Sequence, residues 1–132
     1  ARLAPVTPII GSGTQRIQPI WIDDVAAYFA EGVQRADATG IFELGGPDAV
    51  SWNEFWERLK RVLGSRRPSI HVPFSLMRAN AMLTEKLPGD IPLTRDLLTM
   101  LEHGDNTVSN DEAVRTFALP LVPLDEQLRR AT

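Results

Sequence analysis

The 132-residue chain contains no cysteine, one tyrosine and two histidines. The missing cysteines exclude a disulfide framework, a thiolate zinc site, an iron–sulfur cluster and a thiol nucleophile. With only His71 and His103, an all-histidine metal centre is excluded in practice, and no metal site is expected. Nor is there an excess of positive charge. The net charge is −3, which argues against nucleic acid as the main partner. No apolar run approaches the ~18–20 residues of a membrane span, and no secretory apolar region opens the chain. A cytoplasmic location is the expectation. What is present is ordinary: 43% hydrophobic and 23% charged residues, enough for one domain with its own core.

Ten prolines and nine glycines punctuate the chain. Pro5 to Ile10 reads as extended, and Gly11-Ser12-Gly13 as a turn. Arg16 to Ile22 alternates as a strand, with Ile20 and Ile22 opposite Trp21 and with Pro19 at an edge or bulge. Asp23 or Asp24 offers an N-cap for a helix running to about Ala36, with Val25, Phe29 and Val33 at helical spacing. Ile41 to Leu44 reads as a short strand.

Ser51 and Glu54 form a capping box. Trp52, Phe55, Trp56, Leu59, Val62 and Leu63 follow on one helical face, and Gly64 closes the helix. Ser69 to Val72 is a further short strand. The remainder reads as helical. Leu76, Ala79, Leu83 and Leu87 share a face that ends at Pro88-Gly89. Thr94 heads a helix with Leu97, Leu98 and Leu101, which His103 suits as a C-terminal cation. Asn110 heads one with Val114 and Phe117, and Pro123 opens one with Leu124 and Leu128 inward.

Tests for chemistry are mostly negative. A dinucleotide site needs a glycine-rich turn leading into a helix, so that the pyrophosphate meets the helix N-terminus. Gly11-Ser12-Gly13 lacks the third glycine and leads into a strand. A Tyr-x-x-x-Lys pair puts a phenol and an ammonium on one helix face, but four residues after Tyr28 stands Gly32. There is no Walker lysine motif and no nucleophile elbow. His71 has no orienting carboxylate that the sequence can supply, and no catalytic residue is assigned. Trp52 and Trp56 with Phe55 read as core, or as a platform on which a ligand could stack. Trp21 either sits in a strand buried on both sides or lines a cleft. Arg58, Lys60, Arg61, Arg66 and Arg67 form a basic run, read as a solvated helix end or as an anion-binding patch.

The order of motifs says more than any one of them. Gly11-Ser12-Gly13 is followed by Gln18-Pro19-Ile20-Trp21-Ile22-Asp23-Asp24-Val25-Ala26, then by Gly40-Ile41-Phe42-Glu43-Leu44-Gly45-Gly46-Pro47. Next come the helix from Ser51 to Leu63-Gly64, Ile70-His71-Val72-Pro73, and Phe117-Ala118-Leu119-Pro120 with Leu124 and Leu128. Together they resemble the C-terminal, substrate-side part of an extended or atypical short-chain dehydrogenase/reductase. That superfamily includes NAD-dependent epimerase/dehydratases, NmrA-like proteins and an accessory NADH-dehydrogenase subunit, whose Gln-Pro segment is most similar. Where the sugar-nucleotide epimerases carry Arg-Asp-Phe after Gly-x-Gly, this chain has Ile17, Gln18 and Pro19, which puts a nucleotide-sugar substrate in doubt.

The resemblance implies an α/β fold: a small mixed sheet of about three or four short strands packed by about five helices. It implies that residues 1–132 are a single domain, a fragment lacking the N-terminal NAD(P)-binding Rossmann domain. That domain and a small-molecule substrate would be its partners. NAD(P) is expected in the parent and no cofactor in this chain. Gln18 and Trp21 are the candidates for lining the substrate cleft, and Asp24 for the cap that fixes the strand–helix junction. Surface that meets the missing domain is expected to be exposed and apolar, with homodimerisation as one consequence. Two other functions stay open: a non-catalytic NAD(P)H sensor or accessory subunit, and an anion-binding module.

Overall fold

A computed structural model of the chain describes residues 6–84, 98–99, 102 and 104–132. In chain order the elements are β1 (Thr7–Ile10), β2 (Arg16–Ile17), α1 (Ile22–Gln34), β3 (Val50–Ser51), α2 (Trp52–Val62), β4 (Ser69–Val72), α3 (Phe74–Thr84), α4 (Asp111–Phe117) and α5 (Leu124–Arg130). The α/β class is as expected, and the five helices named here are those among the described residues. Among the described residues the strands form two pairs. β1 lies parallel to β4, with Ile9 opposite His71, and β2 lies antiparallel to β3.

Local chemistry sets several boundaries. Ser51 Oγ accepts the Glu54 N–H at 3.2 Å, the first half of the capping box. The Glu54 carboxylate does not complete the box, because Arg58 holds it at 2.6 Å. At the far end of α2, Gly64 adopts φ 61°, Ser65 N–H reaches Lys60 O and Gly64 N–H reaches Arg61 O. These two bonds define a Schellman motif and satisfy carbonyls that the helix leaves open. The expected strand at 16–22 stops at Ile17, and Trp21 occupies the N-cap position of α1 with no side-chain cap bond. Asp23 and Asp24 lie in the first turn instead, where their charge favours the helix dipole without capping it. Among the described residues Ile41 to Leu44 pairs with no strand, and Asn110 sits at the N-cap of α4 with no side-chain cap bond.

Two apolar clusters hold these pieces. Tyr28, Ala113 and Phe117 form one, flanked by Phe42, Leu44, Leu119 and Leu121. The Phe117 ring meets Phe42 edge-on at 5.0 Å and Tyr28 at 5.9 Å, the geometry favoured by ring quadrupoles. Val50, Leu124 and Leu128 form the other, against Ile17, Phe55, Leu59 and Val62. Phe117, Leu124 and Leu128 are inward as expected. Leu98 is fully buried; residues 98, 99 and 102 of its expected helix are helical, whereas Thr94, Leu97, Leu101 and His103 lie outside the described residues, as do Leu87 and Pro88-Gly89.

α1 turns the other way from expectation. Its buried face is Asp24 and Tyr28, whereas Ile22, Phe29 and Val33 are 70, 72 and 87% exposed. Ile41 at 91%, Leu63 and Leu76 are exposed as well. The apolar face on α1 runs into a groove of about 330 Å³ between Phe29, Gly32, Val33, Phe42 and Phe117.

Tyr28 makes the first cluster sensitive to alkali. Burial and then the nearby Asp24 carboxylate raise its phenol above the ordinary value of 10.0. The folded state therefore holds the proton more tightly than the unfolded chain. The resulting stabilisation is complete below pH 10.0 and is lost as pH rises through the raised folded value. Because Tyr28 is the only tyrosine, phenolate absorbance reports it alone. In a spectrophotometric titration the native chain is expected to ionise at higher pH than the chain in strong denaturant. Coincident curves would contradict this placement of Tyr28.

Candidate functional site

In open sheets with parallel strands, ligands bind off the carboxyl ends of those strands. Here that edge is where β1 leaves at Ile10 and β4 at Val72, joined by Gly11 N–H to Val72 O at 2.8 Å. The Gly11-Ser12-Gly13 turn crosses it, with Gly11 at φ 67° and Gly13 at φ 68°. A side chain at Gly13 would put its Cβ 2.2 Å from Asn53 Oδ1 and 2.7 Å from Ile9 Cγ2. Asn53, in the first turn of α2, fills that space. Its backbone N–H donates to Gly13 O at 3.0 Å, its Nδ2 to Ser12 O at 3.0 Å, and its Oδ1 faces His71 Nε2 at 2.9 Å. Ser12 Oγ and Thr14 Oγ1 bond to each other at 2.7 Å on the outer side of the turn.

Beside this polar cluster lies an apolar cavity of about 190 Å³ walled by Pro8, Ile9, Ile10, Gln15, Trp52 and Trp56. Gln15 Oε1 is buried there without a hydrogen-bond partner. Trp52 and Trp56 are half-buried rather than core, and Ile9 carries the link: it lines the cavity and is the register partner of His71. The sequence did not point to Asn53, and of the cavity it pointed only to Trp52 and Trp56, read chiefly as core. Its available signal was an asparagine directly inside a capped helix start, together with two tryptophans one turn apart.

The sequence candidates lie elsewhere. Gln18 is a latch: its Nε2 donates to Gly46 O at 2.7 Å and its Oε1 accepts the Val108 N–H at 2.8 Å. Both ends of the amide are thus bonded to backbone. Trp21 donates from Nε1 to Asp23 at 3.0 Å and lies 5.9 Å from the Arg130 guanidinium, so it bridges α1 and α5. It is half-buried and walls none of the cavities described here. Asp24 does not cap α1. Its carboxylate accepts the Val122 N–H at 2.7 Å, joining the helix to a segment 98 residues away. The basic run is dispersed as well. Arg58 is held by Glu54, Asp125 and Asp48, and Lys60 donates to Ser69 Oγ, so these two cations are engaged internally.

The turn departs from the strand–turn–helix form of a dinucleotide loop. Gly13 leads to β2 and not directly into a helix, and Asn53 and Ile9 occupy the space beside it. Among the described residues no cluster of His, Asp and Glu could hold a metal, and no helix is long and apolar enough to cross a membrane.

No protein-family model matches the chain. It is 28% identical over 127 residues to the mitochondrial NADH dehydrogenase (ubiquinone) 1 alpha subcomplex subunit 9 of Arabidopsis thaliana. The match covers 88% of this chain and 31% of that protein, so the chain spans under a third of the curated relative's length. Among solved structures it is similar to the human epimerase family protein SDR39U1 (isoform 2) with NADPH, at TM-score 0.73 and 22% identity over 98% of this chain and 39% of that one. It is also similar to the Citrobacter sp. triphenylmethane reductase complexed with NADP(H), at TM-score 0.64 and 18% identity over 96% and 45%. The chain thus has the fold of one part of longer epimerase- and reductase-type proteins, as the ordered motifs imply.

The Asp24 bond sets a test. Asp24→Ala leaves a Val122 N–H without its partner and is expected to lower stability by about 1–3 kcal/mol, with Asp24→Asn costing less because an acceptor oxygen remains. Urea unfolding measures both. Equal, negligible effects would remove the bond from the account.

Proposed function

We propose that this chain is the substrate-side part of an NAD(P)-dependent protein of the short-chain dehydrogenase/reductase type, shaping the cleft without carrying hydride or proton transfer itself. The observation that supports this most is the fold match. Nearly all of this chain superposes on under half of longer proteins solved with NADPH or NADP(H). The chain's own residues agree with such a division of labour. Its glycine turn does not lead directly into a helix, and its one tyrosine lacks the lysine partner. The exposed apolar face of α1 and the groove beside it suit burial against another domain of the same protein. In this reading that domain binds NAD(P), a small molecule is the substrate, and the protein works in the cytoplasm.

A second reading has its own support. The likeness to a mitochondrial NADH dehydrogenase subunit favours a non-catalytic role as an accessory or sensing subunit. The sequence of the adjoining domain separates the two: an intact Tyr-x-x-x-Lys pair supports catalysis, and its loss supports the accessory role.

The division of labour is tested by titrating the 132-residue chain with NADH and NADPH, following quenching of its three tryptophans. No saturation is expected below about 1 mM, an affinity worth only ~4 kcal/mol. Tight, saturable binding by this chain alone would assign the cofactor site to it and overturn the proposal.

A further inference from the structure

Residues 41–44 present an open strand. None of the backbone N–H or C=O groups of Ile41, Phe42, Glu43 and Leu44 takes part in a hydrogen bond among the described residues. The free stretch has a sharp end, because Gly45 N–H is taken by Asn110 Oδ1 and Gly46 N–H by Gln18 O. Exposure alternates along it: Ile41 and Glu43 face outward, and Phe42 and Leu44 pack on the Tyr28 cluster. That alternation is the pleat of a strand with one covered face. An unpaired strand of this kind is a template for pairing with another strand.

The surface beside the strand is apolar and continuous with it. On α1, the exposed Ile22, Phe29 and Val33 recur at helical spacing and share one face, with Ala26 and Ala30 exposed on the same side. The groove of about 330 Å³ joins this stripe to the strand, because Phe29 and Val33 line it from α1 and Phe42 and Leu44 line it from residues 41–44. No charged side chain lines the groove. Within 41–44 the one charged residue is Glu43.

A second copy of the chain brings a strand of matching pattern. Two antiparallel copies of 41–44 related by a two-fold axis, with their covered faces on one side, are centred on Phe42 or on Glu43. Centring on Glu43 sets two carboxylates directly opposite, which is unfavourable. Centring on Phe42 sets Phe42 against its counterpart and Ile41 against Glu43, an aromatic pair with no like charges opposed. We propose that this chain forms a two-fold dimer in which the Ile41–Leu44 segments pair antiparallel about Phe42 and the α1 stripes carrying Phe29 and Val33 meet beside them. Each copy uses the same patch, as a closed two-fold interface requires. The proposal rests on the reading above that this surface packs against protein, and an adjoining domain would compete with the second copy for it.

The test uses the 132-residue chain. Sedimentation at increasing concentration is expected to show a monomer–dimer equilibrium. Hydrogen exchange followed by NMR is expected to protect alternate amides within 41–44, with protection that grows with the dimer fraction. Ile41 is 91% exposed, so its substitution leaves the monomer's core untouched. Ile41→Lys is expected to dimerise about tenfold more tightly than Ile41→Glu, because position 41 faces Glu43 of the other copy twice in the dimer. Phe29→Asp, also at an exposed position, is expected to weaken the dimer at least about tenfold. A chain that stays monomeric to about 1 mM overturns the proposal. So does open-ended aggregation, a dimer with uniformly fast exchange across 41–44, or equal effects of the two Ile41 substitutions. Protection that arises only in a longer chain carrying the adjoining domain assigns the strand to that domain and overturns the second copy. The nicotinamide titration decides the functional reading separately, so either can fail without the other.

Discussion

The structure depends on a set of buried polar bonds that fasten the closing segment to the first half of the chain. Tyr28 Oη donates to Leu119 O at 2.7 Å, Asp24 accepts from Val122 N–H, and Asp48 accepts from Leu124 N–H at 2.8 Å. Gln127, itself buried, donates from Nε2 to Val122 O at 2.7 Å and to Pro19 O at 3.2 Å. Arg35 donates to Thr116 O at 2.7 Å. All but the Gln127–Pro19 bond join a side chain on a regular element or turn to backbone in the irregular stretch between α4 and α5 or at its borders. That stretch has no ladder of its own, and buried backbone groups must find partners. The side chains supply them, and by doing so they place Leu124 and Leu128 in the second apolar cluster.

A second latch serves the loops in the same way. Gln18 ties residues 46 and 108 together, while Asn110 accepts from Gly45 N–H at 2.6 Å and donates to Gly46 O at 2.8 Å. The crossing is tight: a Cβ at Gly46 would fall 1.7 Å from Pro19 O. The Gly45-Gly46 pair therefore exists for close approach of two backbones, and Asn110 is drawn away from its helix cap to secure it. One side chain cannot serve both positions. The loop crossing, which closes 65 residues of chain between Gly45 and Asn110, takes precedence over a cap for a seven-residue helix.

Local signals in the sequence were legible where the physics is local. The Ser51 cap, the Gly64 exit, Pro123 at the start of α5 and the apolar strands β1 and β4 all depend on residues within a few positions of one another. The misread features are those decided at long range. Asp24 has the residue type of a cap, but a partner 98 residues away claims its carboxylate. Val25, Phe29 and Val33 mark an apolar stripe on α1, and periodicity cannot say whether the stripe meets this chain or another surface. Ile41 to Leu44 has strand composition but no strand partner among the described residues, and Phe42 and Leu44 turn inward, onto the Tyr28 cluster. Of the site, the Gly11-Ser12-Gly13 turn and His71 were visible as residues. The asparagine that couples them was not, because β4 and α2 come together only in the fold.

The same division explains which surfaces remain open. Polar fastening consumes the inner face of α1 at Asp24 and Tyr28, leaving Ile22, Phe29 and Val33 outward. The β1–β4 pair is open in a comparable way. Thr7 and Gly11 direct their N–H groups toward β4, so alternation turns Pro8 and Ile10 to the opposite edge. Proline offers no donor there, which discourages casual pairing along that edge while leaving Ile10 able to bond. Parallel strands are ordinarily covered on both faces, and a two-stranded parallel pair buries too little to be an end in itself. An apolar helix face and an incomplete parallel sheet in one chain make the same physical demand, further protein surface to pack against. That demand is what a part of a larger α/β protein would carry, and the carboxyl edge of the same strand pair is where Asn53 and His71 stand.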